Sequence, residues 1–170
     1  MIFEKLYAIE ELVKAGDHDS AHSVAVDLAS AYPDDARAQL AAAFTSDRLG
    51  LETTAIFYYR RASNIGVPDE ERPKFLLSFA STLRNAGEIQ EAIDYLTQAT
   101  YEHPNRAEFY AFLALAYHSS GQHARALATM LEAALMAARP DGFGTYTRAL
   151  NEYKGELFNL AIDTSKQANE

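Results

Sequence analysis

Apolar residues return along this chain at steps of three and four, the spacing that gathers them on one face of an α-helix. Between 72 and 86 they fall at Leu76, Phe79, Ala80 and Leu83, with Lys74, Ser78, Ser81 and Arg84 among them. The same rhythm predicts helices near 2–15, 18–31, 35–49, 52–65, 72–86, 89–102, 106–120 and 123–138. A ninth, near 143–167, carries a stripe of Phe143, Tyr146, Leu150, Tyr153, Leu157 and Leu160 or Ala161. Thr147, Arg148, Asn151, Glu152 and Lys154 fall on its other side. The coarse map is all helix.

Small residues punctuate that map. A glycine is followed five positions on by an alanine at Gly16/Ala21, Gly50/Ala55, Gly87/Ala92 and Gly121/Ala126, and the glycines are spaced 34, 37 and 34 residues apart. A second small or apolar residue follows at Leu28, Ala62, Ala99 and Ala133, and a proline closes each unit at Pro33, Pro68, Pro104 and Pro140. A period of this length marks stacked supersecondary units. Glycine supplies the positive φ that ends a helix sharply. Asp17, Glu52, Glu88 and Gln122 open the next helix, and alanine lets the antiparallel pair approach closely. Proline, unable to continue a helix, is expected to begin a new one. Such a hairpin cannot bury its apolar faces alone and must stack.

This punctuation resembles that of tetratricopeptide repeats over roughly residues 2 to 140. The third unit carries the likeness most fully, through Leu76, Phe79, Ala80, Leu83, Gly87, Ala92, Leu96, Ala99 and Pro104. The fourth follows with Tyr110, Leu113, Ala114, Tyr117, Gly121, Ala126, Met130 and Ala133. No unit has the early tryptophan common in the family. The first unit has Ala25 and Leu28 where an aromatic and a small residue are usual, and the second has Ser46 at an aromatic position. The segments Tyr59-Arg60-Arg61 and Ser81-Thr82-Leu83-Arg84-Asn85-Ala86-Gly87 are similar to small stand-alone bacterial repeat proteins of unassigned function. The resemblance implies an all-α, right-handed α-α superhelix: one domain over 1–170, with repeats at about 2–34, 35–68, 72–105 and 106–140 and a capping helix at 143–167. The segment 66–73 is the longest connector between repeats, a linker or a hinge.

Composition narrows the function. The 170 residues are 48% hydrophobic, ample for a core, and contain no cysteine, so neither disulfides nor thiolate metal sites are available. That fits a reducing compartment, and a cytoplasmic location is expected. The N-terminus reads straight into an amphipathic helix, so no leader peptide is expected. No apolar run reaches the roughly 18 residues of a membrane span. A net charge of −9 argues against nucleic acid or anionic membranes as partners.

In the family the resemblance names, the first helices of the hairpins line a concave groove that holds a protein partner. Carried onto this chain, that geometry nominates Arg37, Phe44, Arg48, Lys74, Arg84, Asn85, Phe112 and His118. The second and third units thereby contribute four cations in an otherwise acidic chain, while second helices carry acids such as Asp17, Asp19, Asp27, Glu88, Glu91 and Asp94. The expected ligand is an acidic or carboxylate-bearing peptide, with arginine gripping carboxylates and the two phenylalanines as apolar anchors. The competing reading leaves the cations solvated, or paired with Asp47 and Glu108. A clamp for chaperone tails is not expected, because Leu6 and Glu10, or Leu40 and Phe44, stand where lysine and asparagine would be needed.

No catalytic constellation stands out, and neither an enzyme, a metal site nor a cofactor is expected. His18 and His22 lie four apart, but two imidazoles are short of a zinc ligand set, and a solvated pair is the plainer reading. His118 and His123 straddle the Gly121 turn under the same reasoning. Asp34-Asp35 reads as a helix cap, and Glu70-Glu71 as loop charge. Tyr110, Tyr117 and Tyr153 fall at core spacing. The second function class is self-association. Phe158 and Ile162 would form a dimer contact if they project from the capping helix, whereas Phe158 folded back on the fourth unit would leave none.

Overall fold

The computed structural model describes residues 1–139 and 142–167, with side chains through 162. Pro140, expected to close the fourth unit, lies outside the described residues. Helices run α1 (Ile2–Lys14), α2 (His18–Ala31), α3 (Ala36–Arg48), α4 (Glu52–Ile65), α5 (Arg72–Asn85), α6 (Ile89–Glu102), α7 (Ala107–Ser119), α8 (His123–Ala137) and α9 (Thr147–Gln167). A single 3-10 turn at Gly144–Tyr146 precedes α9. The expected elements are thus present, and no strand occurs among the described residues. The chain divides into two compact units, 1–87 and 88–170.

The first unit holds α1 to α5. Each helix packs on the next, and α3 also meets α1 and α5, so the first helices of successive hairpins adjoin one another. Gly16, at φ +80°, sits in the turn out of α1 with no neighbouring atom within 4 Å of where a Cβ would be. Its requirement is therefore torsional rather than one of outside space. Asp17 then caps α2, accepting from the Ser20 backbone N–H at 3.2 Å. Ala21, Ala25 and Leu28 are fully buried in α2, and Ala55 and Ala62 likewise in α4, as the small-residue rhythm requires. Asp35 caps α3 through Oδ1, which accepts from Arg37 N at 2.8 Å and Ala38 N at 3.2 Å. Tyr59, Phe75 and Phe79 form the aromatic centre of the unit, with the Tyr59 and Phe79 rings stacked at 5.2 Å.

The prolines do not begin helices as expected. Pro33, Pro68 and Pro104 all lie in the connections ahead of α3, α5 and α7, while Pro73 alone among the described prolines occupies the first turn of a helix. Their fixed φ shapes the turn, and the N-cap positions fall to Asp35 for α3, Glu71 for α5 and Arg106 for α7, with a side-chain cap only from Asp35. The long connector is tied down. The Arg72 N–H donates to the Pro68 carbonyl at 3.0 Å, and Glu70 forms an ion pair with Arg37.

The second unit holds α6 to α9. α7 packs on α6 and α8, and α9 on α8. Phe109, Leu113, Ala116 and Tyr117 of α7 are buried with Ala126, Ala128 and Ala133 of α8. The phase of α9 differs from the stripe read along it. Tyr146, Tyr153 and Leu160 are all more than half exposed. The more buried face carries Leu150, Lys154, Leu157, Phe158 and Ala161. Lys154, expected on the wet side, pairs with Glu132 of α8, and its side chain is only 18% exposed. A long aliphatic stem can lie along an apolar surface while its ammonium reaches a carboxylate, and here that pair lies on the inward face of α9.

A candidate partner-binding cleft

Within the first unit, α1, α3 and α5 enclose an open cleft of about 300 Å³. Leu6, Ile9, Val13, Leu40, Ala41 and Phe44 provide its apolar lining. Glu10, Lys14, Arg37, Thr45, Arg48, Glu71 and Lys74 supply the polar lining. Of the nominated groove residues, Arg37, Phe44, Arg48 and Lys74 therefore meet in one place. They converge because one helical face is reused in successive first helices.

The charges of the cleft are not equivalent. The Arg37 guanidinium donates to Glu70 Oε1 at 2.6 Å. Glu70 is held below the usual carboxylate range, first by its own backbone N–H and then by Arg37. Lys14 donates to Glu11 at 2.7 Å, and that bond raises its pKa above the ordinary lysine value. Lys74 places its ammonium 3.9 Å above the centre of the Phe44 ring, a cation–π arrangement. Phe44 is itself fixed edge-on against Tyr59 at 5.6 Å. Neither Arg48 nor Lys74 forms an ion pair among the described residues. Both are exposed, so two cations stand ready beside an apolar floor.

Asp47 forms no ion pair with these cations, although the Arg48 charge acts on it weakly. It accepts hydrogen bonds from Thr82 at 2.8 Å and Tyr59 at 3.3 Å, while the loop acid Glu70 serves Arg37. Glu108 does take an arginine, but it is Arg106 on the same stretch of chain. Arg84 and Asn85 do not line the cleft. They end α5, where Arg84 Nη2 donates to Asn85 Oδ1 at 2.9 Å and Arg84 Nε is buried without a hydrogen-bond partner. Phe112 and His118 belong to the second unit, the first half-buried and the second exposed. Sequence reasoning missed Ile9, Thr45 and Glu71, of which the last was read only as loop charge.

The histidines also depart from expectation. His22 is half-buried with Nδ1 3.4 Å from both Thr45 Oγ1 and Ser46 Oγ, so Ser46 occupies its unusual position as a buried polar contact. His18 Nδ1 is buried with no hydrogen-bond partner, while the residue as a whole is half-buried like His22. His118 and His123 approach to 3.2 Å between their Nδ1 atoms. No cluster of three or more metal-ligating side chains occurs among the described residues, and no described helix is long and apolar enough to cross a membrane. On α9, Phe158 is half-buried whereas Ile162 is exposed.

Comparison with known proteins agrees with this architecture. No curated protein matches the chain. Among solved structures, "MamA MSR-1 C2" aligns at TM-score 0.71 and 19% identity, covering 80% of this chain and 76% of that one. "Crystal structure of MamA protein" aligns at 0.68 and 19%, covering 98% and 92%. "MamA RS-1 ArsTM double mutant" aligns at 0.70 and 13%, covering 98% and 96%. At these identities the likeness is one of fold. A family model described as tetratrico peptide repeat matches residues 36–157, and with the helical hairpins and their glycine–alanine rhythm it establishes that the chain belongs to the tetratricopeptide repeat family.

Proposed function

We propose that the protein is a protein–protein interaction scaffold whose first-unit cleft holds an acidic segment of a partner, an apolar side chain on its floor and carboxylates against Arg48 and Lys74. Family membership supports the scaffold role. The observation that carries the finer reading is the pair of cations without carboxylate partners beside Phe44, in a chain of net charge −9. Arginine offers a planar fork to a carboxylate, and a buried aromatic contact contributes the anchoring energy that such interfaces concentrate in a few residues. Arg37 is already engaged by Glu70, which fixes one wall rather than offering a further charge.

The test is a fluorescein-labelled peptide of alternating leucine and glutamate, followed by anisotropy against the full chain. Arg48→Glu and Lys74→Glu are each expected to weaken binding at least tenfold, while Arg148→Glu on α9 leaves it unchanged. Equal affinity for all four proteins would overturn the assignment.

A second reading is favoured by α9. Tyr153, Leu160 and Ile162 are exposed apolar or aromatic residues on that helix, with exposed Tyr146 in the turn just before it, a surface suited to a second copy of the chain. Half-buried Phe158 contributes from the edge of that surface. Light scattering of the wild type and of Ile162→Asp distinguishes the cases: a dimer mass that falls to the monomer supports this reading, and a monomeric wild type removes it.

A further inference from the structure

We infer that His118 and His123 form a two-nitrogen chelate for a divalent transition-metal ion. His118 lies in the last turn of α7 and His123 opens α8. Both side chains are exposed, with Nδ1 atoms 3.2 Å apart and ring centres 4.9 Å apart. Two imidazole nitrogens bound at about 2.0–2.1 Å and separated by 3.2 Å subtend about 100° at a shared ion. That angle lies between those of tetragonal and tetrahedral sites. The bite is set by the backbone. Gly121 has φ +80°, the Gly121 N–H donates to His118 O at 3.0 Å, and the Gln122 N–H donates to Tyr117 O at 2.9 Å.

Without an ion, two facing Nδ1 atoms hold together only by sharing one proton, one ring donating and the other accepting. A metal ion replaces that proton and uses both lone pairs. The surrounding polar groups are engaged elsewhere. Ser119 and Ser120 donate to the Leu115 and Tyr117 carbonyls, and Gln122 Nε2 donates to Ser120 Oγ. Arg125, the cation of the first turn of α8, lies 4.3 Å from the Tyr117 ring centre. Two protein ligands leave the other coordination positions to water, so the site is an open one. All-nitrogen donors select Cu²⁺, Ni²⁺ or Zn²⁺ over Mg²⁺ or Ca²⁺. The other histidine pair lacks this geometry: His22 Nδ1 is turned to Thr45 and Ser46, and His18 Nδ1 is buried.

The experiment is calorimetric titration of the untagged full chain with NiCl₂, and separately with MgCl₂. One Ni²⁺ per chain is expected, with no heat from Mg²⁺. His118→Ala and His123→Ala should each weaken Ni²⁺ binding at least tenfold, with helical circular dichroism retained because both side chains are exposed. His22→Ala should bind as the wild type does. In the proton NMR spectrum, the imidazole signals of His118 and His123 should broaden or shift together on addition of ZnCl₂. Nickel binding that survives either substitution, or a wild type that binds no Ni²⁺, overturns the inference.

Discussion

Thr82 on α5 donates its hydroxyl to Asp47 on α3 across 2.8 Å, and the other carboxylate oxygen of Asp47 takes the hydroxyl of fully buried Tyr59 at 3.3 Å. Burial pushes the Asp47 carboxyl above its ordinary value, outweighing the lowering by those two hydrogen bonds. In the folded chain this group therefore binds its proton more tightly than in the unfolded chain. Its contribution to stability falls as pH rises through the usual aspartate value, about 3.9, until the folded carboxyl has also ionised, and is constant above that. Asp47→Asn keeps an acceptor without the titration. The stability of the wild type relative to this variant should decline across that window, read as paired urea unfolding curves from pH 3.5 upward. Parallel pH profiles would count against the account.

Gln39 is a buried polar residue with a structural task. It is fully buried in α3, and its amide nitrogen lies 3.0 Å from Ala29 O and 3.3 Å from both Tyr32 O and Pro33 O. These carbonyls end α2 and begin the connection to α3, where a helix leaves acceptors unpaired. Gln39→Leu keeps the volume and removes the donor. The expected cost is about 1–3 kcal/mol, the range for stranding buried polar groups, measured as a lowered urea midpoint with unchanged slope. A neutral substitution would show that water serves these carbonyls equally well.

What could be read in advance follows from which forces are periodic. The helices recur because the glycine–alanine rhythm repeats, and Arg37, Leu40, Phe44, Arg48 and Lys74 were legible because one helical face recurs in α3 and α5. Gln39, Asp47 and Lys154 were not legible in their actual roles. Each is a polar type whose burial depends on partners distant in sequence: the end of α2 for the first, Tyr59 and Thr82 for the second, Glu132 for the third. The phase of α9 was misread for the same reason. Spacing alone grouped Tyr146, Tyr153 and Leu160 with Leu150 and Leu157, whereas the first three are exposed and Lys154, paired with Glu132, lies on the inward face with the two leucines.

Two glycines should respond to alanine with opposite signs. Gly16 has φ +80°, where an L-residue is strained, and Gly16→Ala should cost about 1–2 kcal/mol. Gly155 lies inside α9 with nothing within 4 Å of an added Cβ. Gly155→Ala should therefore stabilise by about 0.5–1 kcal/mol, the difference between the two residues in a helix interior. Thermal midpoints that move in the same direction would contradict this contrast.

The Lys154–Glu132 pair offers the sharpest test of how α9 is held. Its side chains are 18% and 32% exposed, between the buried and solvated limits. Fully exposed pairs contribute about 0–1 kcal/mol, and breaking a buried pair costs about 3–5 kcal/mol, so an intermediate coupling of about 1–2 kcal/mol is expected here. Lys154→Met keeps the aliphatic stem on α8 and strands the Glu132 carboxylate, whereas Glu132→Gln alone strands the ammonium. The double variant removes both charges and should recover most of the loss of either single change. A double-mutant cycle on unfolding free energy reads the coupling directly. Because the pair is half shielded, raising salt from 0.05 to 0.5 M should reduce the coupling less than it reduces that of the exposed Arg148–Glu152 pair on the same helix. Equal salt sensitivity would mean that Lys154 is solvated like its neighbours and that apolar packing alone orients α9.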